Sequence, residues 1–313
     1  MRNDIMSEKR GKKTVLLADF GMIFTALVWG FAFVVVKDSV DSVPPVYMLA
    51  FRFTIAFLGL ALVFCKKIPM IRKSDLACGS FLGFWLFISY FFQTVGIQYT
   101  TAGKNAFLTT IYVVIIPFLS WIIAKKRPDR YCVSAAILAI VGIGLLSLQG
   151  DLTMNIGDVL TIVCGFGYAF HMFFIDRFTE KHDPIIMTLL QIGTAALISW
   201  IVSPFMDGAF PVAVFTPRAM SGMLYLGLVS TMVAFLLQNV CQKYTTATSA
   251  SLFLSLESVF GVLCSVIFLK EHMTPRMIFG CVLLFTAIIL AETKLSFLKS
   301  KSGNNKIRRK GAA

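Results

Sequence analysis

Apolar residues run along this 313-residue chain in stretches of roughly twenty, interrupted at short intervals by charge, proline and glycine. The stretches fall at 18–37, 45–64, 76–97, 105–124, 131–148, 156–174, 184–203, 219–240, 248–269 and 277–292. An α-helix rises about 1.5 Å per residue and bilayer hydrocarbon is about 30 Å thick, so about 20 apolar residues suffice for one crossing. The pattern predicts an all-α integral membrane protein with ten transmembrane helices. Between the stretches stand the breakers Pro44-Pro45, Lys66-Lys67, Lys125-Lys126-Arg127-Pro128, Asp183-Pro184, Pro217 and Thr274-Pro275. No connector is long enough for a domain of its own, and only the tails 1–17 and 293–313 are polar.

Composition sharpens this. Hydrophobic residues make up 57% and charged residues 14% of the chain, whereas soluble domains carry roughly 25% charge; the mean hydropathy is +0.80. The seven cysteines (Cys65, Cys78, Cys132, Cys164, Cys241, Cys264, Cys281) are odd in number, dispersed and mostly inside apolar runs. They read as small buried hydrophobes, which excludes a secreted disulfide scaffold. The first run exceeds the apolar core of a signal peptide, lacks a small-residue cleavage site and is followed by nine more, so it is expected to be a span.

A net charge of +13 would raise nucleic acid as a partner for a soluble protein, but the placement of the charge points elsewhere. With the N-terminus inside, 23 of the 29 Lys and Arg fall in inside tails and connectors. Five lie outside (Lys37, Lys104, Arg218, Lys270, Arg276), and Arg52 sits within a span. Positive residues mark the cytoplasmic side. Both termini are therefore expected in the cytoplasm of a multi-pass cell-membrane protein, with the tails near anionic lipid headgroups and no nucleic acid bound.

The chain repeats. "QTVGIQYTTA" from Gln93 to Ala102 aligns with "QNVCQKYTTA" from Gln238 to Ala247 at an offset of 145, with six of ten positions identical. A weaker match pairs Gly30-Phe31-Ala32-Phe33 with Gly167-Tyr168-Ala169-Phe170, and Pro45 pairs with Pro184. Spans one to five (18–148) thus correspond to spans six to ten (156–292). Five is odd, so the second copy crosses in the opposite sense: two five-helix inverted-topology repeats, a recurrent transporter architecture with its substrate site near the midplane.

Trp29-Gly30, Arg52 in "AFRFTIAFLGL", the Tyr-Thr-Thr-Ala turns and "SLESVFGVLCSVIFLKEHMTPRMIFGCVLL" together resemble the EamA-type branch of the drug/metabolite transporter superfamily over about 18–292. The resemblance implies alternating access around a central cavity lined mainly by spans one, three, four, six, eight and nine, and export of amino acids and related metabolites. Two departures stand out. Glu257 is followed by Ser258 where the family often has proline, and Lys126 occupies the place of an acidic residue, opposite Glu271.

Ionisable groups inside spans cost about 2.5–3.5 kcal/mol to insert and need a partner, a cavity or a route to the interface. Glu257 lies about 13 Å deep by helical rise, near the midplane. It reads either as a substrate-ammonium partner or proton-coupling carboxyl, or as a protonated acid bonded to backbone or to Arg52. Its counterpart at the repeat offset is Tyr112, about 15 Å deep. Asn105, Thr109 and Tyr112 form a polar stripe that either lines a cavity or joins helices. Trp29, about 16 Å deep, with Tyr112 and Tyr168 could wall a cavity or simply fill space. His171 stands alone on its span, in no metal-ligand spacing with His182 or His272, and its first reading is a packed, hydrogen-bonded group. Arg52 is expected to snorkel outward or to ion-pair, and Gln93 and Gln238 to cap span ends or bond between helices.

No cofactor, metal-ligand, phosphate-loop or catalytic motif is present, and the chain is expected not to be an enzyme. Secondary transport of a small molecule leads, with export favoured; import of a small organic solute, or a receptor-like or scramblase-like membrane protein, are the alternatives.

Overall fold

The computed structural model describes residues 12–125, 127–147, 154–241, 244 and 247–293. Lys126, most of both basic tails and the second Thr-Thr pair at 245–246 lie outside the described residues. Among the described residues the regular structure is helical. Helix α1 spans Lys12–Ser39, α2 Pro45–Val63, α3 Lys73–Tyr99, α4 Ala102–Thr109, α5 Tyr112–Ala124 and α6 Arg130–Ser147. Beyond the midpoint come α7 (Ile156–Thr179), α8 (Pro184–Met206), α9 (Pro217–Leu224), α10 (Ala234–Cys241), α11 (Ala247–Phe268) and α12 (Pro275–Thr293).

Seven helical segments are long and apolar enough to cross a membrane, counting α4 with α5 and α9 through α10 as one each. Shorter apolar stretches occupy Arg130–Leu146, Phe253–Phe268 and Pro275–Leu290. The outward faces are apolar, with Leu62, Ile140 and Phe205 among the exposed side chains. A water-soluble protein does not sustain such a surface, and a bilayer requires it. The chain is a multi-pass membrane protein.

Two of the stretches are not single α-helices. The stretch at 105–124 tightens between α4 and α5. There Ile111 N–H bonds Leu108 O (3.3 Å), Val113 N–H bonds Thr110 O (3.1 Å) and the Thr110 hydroxyl bonds Phe107 O (2.8 Å). Bonds of three-residue span overlay side chains three apart, so Thr109 and Tyr112 stay on one face across the junction. The stretch at 219–240 widens into a π-helical segment, Tyr225–Val233, between α9 and α10. By contrast α11, which carries Glu257-Ser258 in place of Glu-Pro, is unbroken.

Helices approach through small residues, since lipid offers no hydrophobic drive for helix association. At Gly30 of α1 a β-carbon would stand 2.5 Å from Phe260 Cβ and 2.8 Å from Gly261 N of α11. Only glycine lets these backbones meet. Elsewhere rings interlock: Trp85 of α3 stacks on Phe170 of α7 with centroids 4.6 Å apart, and Phe53 of α2 meets Tyr90 of α3 edge-on at 5.2 Å.

Charged groups hold the helix ends. Asp207 accepts from the N–H groups of Val46 (2.7 Å) and Tyr47 (2.8 Å) at the start of α2, and Glu271 from Ala102 (2.7 Å) and Gly103 (3.1 Å) at the start of α4. Lys37 donates to Ile97 O (2.7 Å) and Thr100 O (2.9 Å) at the end of α3. The fully buried Asp158 takes a bond from the Thr100 hydroxyl and one from Lys104 at 3.3 Å. The contacts of Asp207, Glu271 and Lys37 satisfy amides and carbonyls of the kind every helix terminus leaves orphaned.

Candidate functional site

A cavity lies among α1, α2, α3, α4, α5, α7, α10 and α11. Its wall carries Glu257, Tyr112, Trp29, Thr109, Asn105, Tyr168, His171, Arg52, Gln93 and Gln238, so every residue singled out from the sequence reaches it. The contributing segments are those the family resemblance implies, with Arg52 of α2 added.

Tyr112 and Glu257 meet directly. The phenol donates to Glu257 Oε1 at 3.2 Å, between residues 145 positions apart. Both side chains are buried, at 3% and 5% exposure. Glu257 thus has a side-chain partner from the other half, and that partner is Tyr112 rather than Arg52.

Arg52 corrects the expectation of snorkelling and of an ion pair. It is 3% exposed. Its Nε donates to Thr231 Oγ1 at 2.6 Å, and Nη2 donates to Tyr90 Oη at 3.1 Å and Ser230 Oγ at 3.0 Å, while Cζ sits 4.4 Å from the Tyr90 ring centroid. Fixed partners on facing helices outcompete the interface. The π-helical segment supplies two of them: the Thr231 hydroxyl reaches back five residues to Leu226 O (2.7 Å), leaving its lone pair for Arg52. Ser230 O accepts from Trp29 Nε1 at 2.9 Å. Gly227 lets α2 come close, since a β-carbon there would lie 3.1 Å from Arg52 O. Such wide turns recur at functional sites.

A row of three tyrosines links the charged groups. Tyr90 lies 5.5 Å from Tyr168 and Tyr168 lies 6.3 Å from Tyr112, centroid to centroid. Arg52 covers the first ring and Glu257 bonds the last. Beside the row, Gln93 donates to Thr109 Oγ1 (3.1 Å) and accepts from Tyr168 Oη (3.3 Å). Gln93 does bond between helices as expected, but from the cavity wall and not as a span cap. Asn105 donates to Gln93 O (3.2 Å) and Thr161 Oγ1 (2.7 Å). Its Oδ1 and the Oε1 of Gln238 are buried acceptors with no donor among the described residues. His171 is packed and hydrogen-bonded, its Nε2 2.8 Å from Gln191 Oε1. Among the described residues no group of His, Cys, Asp and Glu is placed to hold a metal ion.

The sequence reading missed Tyr90, Phe235, Gln191, Ser230 and Thr231. The repeat held a signal for three of them. Tyr90 and Phe235 stand at the repeat offset, three residues before Gln93 and Gln238, and both line the cavity. Gln191 follows Pro184 by the same seven residues that separate Arg52 from Pro45. Nothing in the apolar pattern marked Ser230 and Thr231.

Comparison with known proteins agrees with this architecture. The EamA-like transporter family matches the chain twice, over residues 16–148 and 155–293. An uncharacterized transporter of Archaeoglobus fulgidus is 34% identical over 90% of this chain and 87% of its own length. A "Probable amino-acid metabolite efflux pump" of Escherichia coli is 25% identical over 89% of this chain and 95% of its own. A solved crystal structure shares the fold with a TM-score of 0.62 at 16% identity, covering 86% of this chain and 95% of that one. The family match and these relatives make the chain a membrane transporter and not an enzyme. The chain belongs to the EamA-like transporter family.

Proposed function

We propose that this chain is a secondary transporter that exports amino acids, related small metabolites or organic cations across the cell membrane by alternating access. Ten crossings form two five-helix halves of inverted topology, 18–148 and 156–292, with the tails 1–17 and 293–313 in the cytoplasm. The observation that carries the reading is the contact of Tyr112 with Glu257 on the wall of one cavity, each supplied by a different copy of the repeat. Inverted repeats place the substrate between them at mid-depth and expose it to either side by rocking one half against the other. Glu257 and Tyr112 receive the cationic end of the solute, and Trp29, Tyr168, Asn105, Thr109 and His171 shape the space around it. The 23-to-5 bias of Lys and Arg supports the cytoplasmic termini. Similarity to a protein named as an amino-acid metabolite efflux pump supports the direction and the solute class.

The test is growth of cells overexpressing the protein on toxic amino acids, their analogues and cationic drugs, paired with solute movement in proteoliposomes. Selective resistance with lowered accumulation is expected. Sensitisation would make the protein an importer, and lipid redistribution with no solute movement would make it a scramblase.

A further inference from the structure

We infer that Arg52 is the carboxylate-binding residue of the cavity, so that the transported solute carries an anionic group as well as a cationic one; this rests on the transport reading above. A guanidinium stays charged in any protein and carries five N–H donors. Here three donors are spent, one from Nε on Thr231 and two from Nη2 on Tyr90 and Ser230. All three acceptors are neutral hydroxyls. The two N–H groups of Nη1 have no partner among the described residues, and no carboxylate among them lies within 4.0 Å of the guanidinium. A buried charge that its surroundings leave unneutralised is costly. Arg52 is such a charge, 3% exposed and on the cavity wall.

The rest of the wall has the opposite deficiency. Among the described residues Asn105 Oδ1 and Gln238 Oε1 are buried acceptors without donors, and Glu257 offers a carboxyl held by a phenol. The Tyr90, Tyr168 and Tyr112 rings lead from Arg52 to Glu257. The complement is a zwitterion: carboxylate on Arg52 Nη1, ammonium toward Glu257, apolar body against the rings. An organic cation with no anionic group would meet Glu257 but leave the Nη1 donors of Arg52 unmet. Arg52 also holds the π-helical segment through Ser230 and Thr231.

The experiment is competition for solute exchange in proteoliposomes, comparing leucine, phenylalanine and threonine with their C-terminal amides, with choline and tetraethylammonium as cations lacking an anion. Loss of a charge-assisted bond corresponds to a preference of about ten- to a hundredfold for acid over amide. Wild-type protein is expected to show it, and Arg52→Lys and Arg52→Gln to lose most of it at normal monodisperse yield. A purely structural role would lower yield without changing the acid-to-amide ratio. If Arg52→Gln does not fold, the wild-type ratio and Arg52→Lys still decide. Equal competition by acid and amide in wild type, preference for the simple cations, or an acid preference unchanged in Arg52→Lys overturns the inference while transport stands. If folded wild-type protein exchanges no solute of any class, the transport reading itself falls, and this inference with it.

Discussion

Tyr112 Oη donates to Glu257 Oε1 at 3.2 Å across 145 residues, the spacing that aligns Gln93 with Gln238 and Tyr99 with Tyr244. Positions aligned at that offset thus meet as a phenol and a carboxyl. The pair satisfies an otherwise costly buried acid and joins α5 to α11 at the cavity. A contact between halves at this point is one that any rearrangement of the halves must keep, stretch or break.

Arg52 depends on the π-helical segment for its place. Thr231→Val keeps the side chain's shape but removes the acceptor of Arg52 Nε and the donor to Leu226 O. Loss of a buried hydrogen bond to a charged group costs about 1–3 kcal/mol. Thermal unfolding in detergent should show a lowered midpoint, while Ser221→Ala, at an exposed hydroxyl, should leave it unchanged. An unaltered midpoint for Thr231→Val would mean that Arg52 is not held from this side.

The approach of α1 to α11 leaves no room at Gly30. Gly30→Ala places a methyl 2.5 Å from Phe260 Cβ, so one helix must shift, at about 1–3 kcal/mol for overpacking. Reduced folded yield and reduced transport are expected, measured by fluorescence size-exclusion and vesicle uptake. Wild-type behaviour would place the two helices farther apart than described.

At the start of α8, Asp183 accepts from Ile185 N–H at 2.8 Å and pairs with Lys67. Burial alone would raise this carboxyl, but the Lys67 bond and the backbone N–H groups of Ile185 and Ile186 together hold it below its usual range. The stabilisation is therefore present above the unfolded value near 3.9 and is lost as pH falls through the folded value. Asp183→Asn keeps the cap and loses only a partly exposed ion pair, at less than about 1 kcal/mol; Asp183→Ala loses the cap as well, at about 0.5–2 kcal/mol. Midpoints measured from pH 7 down to pH 3 should converge between wild type and Asp183→Asn at the acid end. A gap that widens with acid would contradict the sign.

Much of the candidate cavity lining was legible because the sequence match at an offset of 145 serves as a ruler. The offset of 145 paired Tyr112 with Glu257, and helical rise put both near mid-depth, two arguments that need no tertiary information. Partners were another matter. Depth arithmetic located Arg52 but not Thr231, 179 residues away, so snorkelling was the physical default and tertiary bonding displaced it. The tightened turn at Thr110 and the widened one at Tyr225–Val233 were invisible for a related reason. An uninterrupted apolar run carries no mark of a local change in hydrogen-bond span, and at Tyr225–Val233 contacts from α2 and α1 reward the change.

The central claim is that the solute passes the Tyr112–Glu257 pair, and exchange of labelled amino acids across proteoliposomes containing wild type, Glu257→Gln or Glu257→Asp tests it most directly. Glu257→Gln keeps size and hydrogen bonding while removing the charge; Glu257→Asp keeps the charge and shortens its reach. At normal folded yield, exchange by Glu257→Gln is predicted to fall at least about tenfold, the loss of one charge-assisted bond, with Glu257→Asp retaining part of it. Wild-type exchange in both variants, with wild-type pH dependence, would contradict the account and reduce Glu257 to a packing residue.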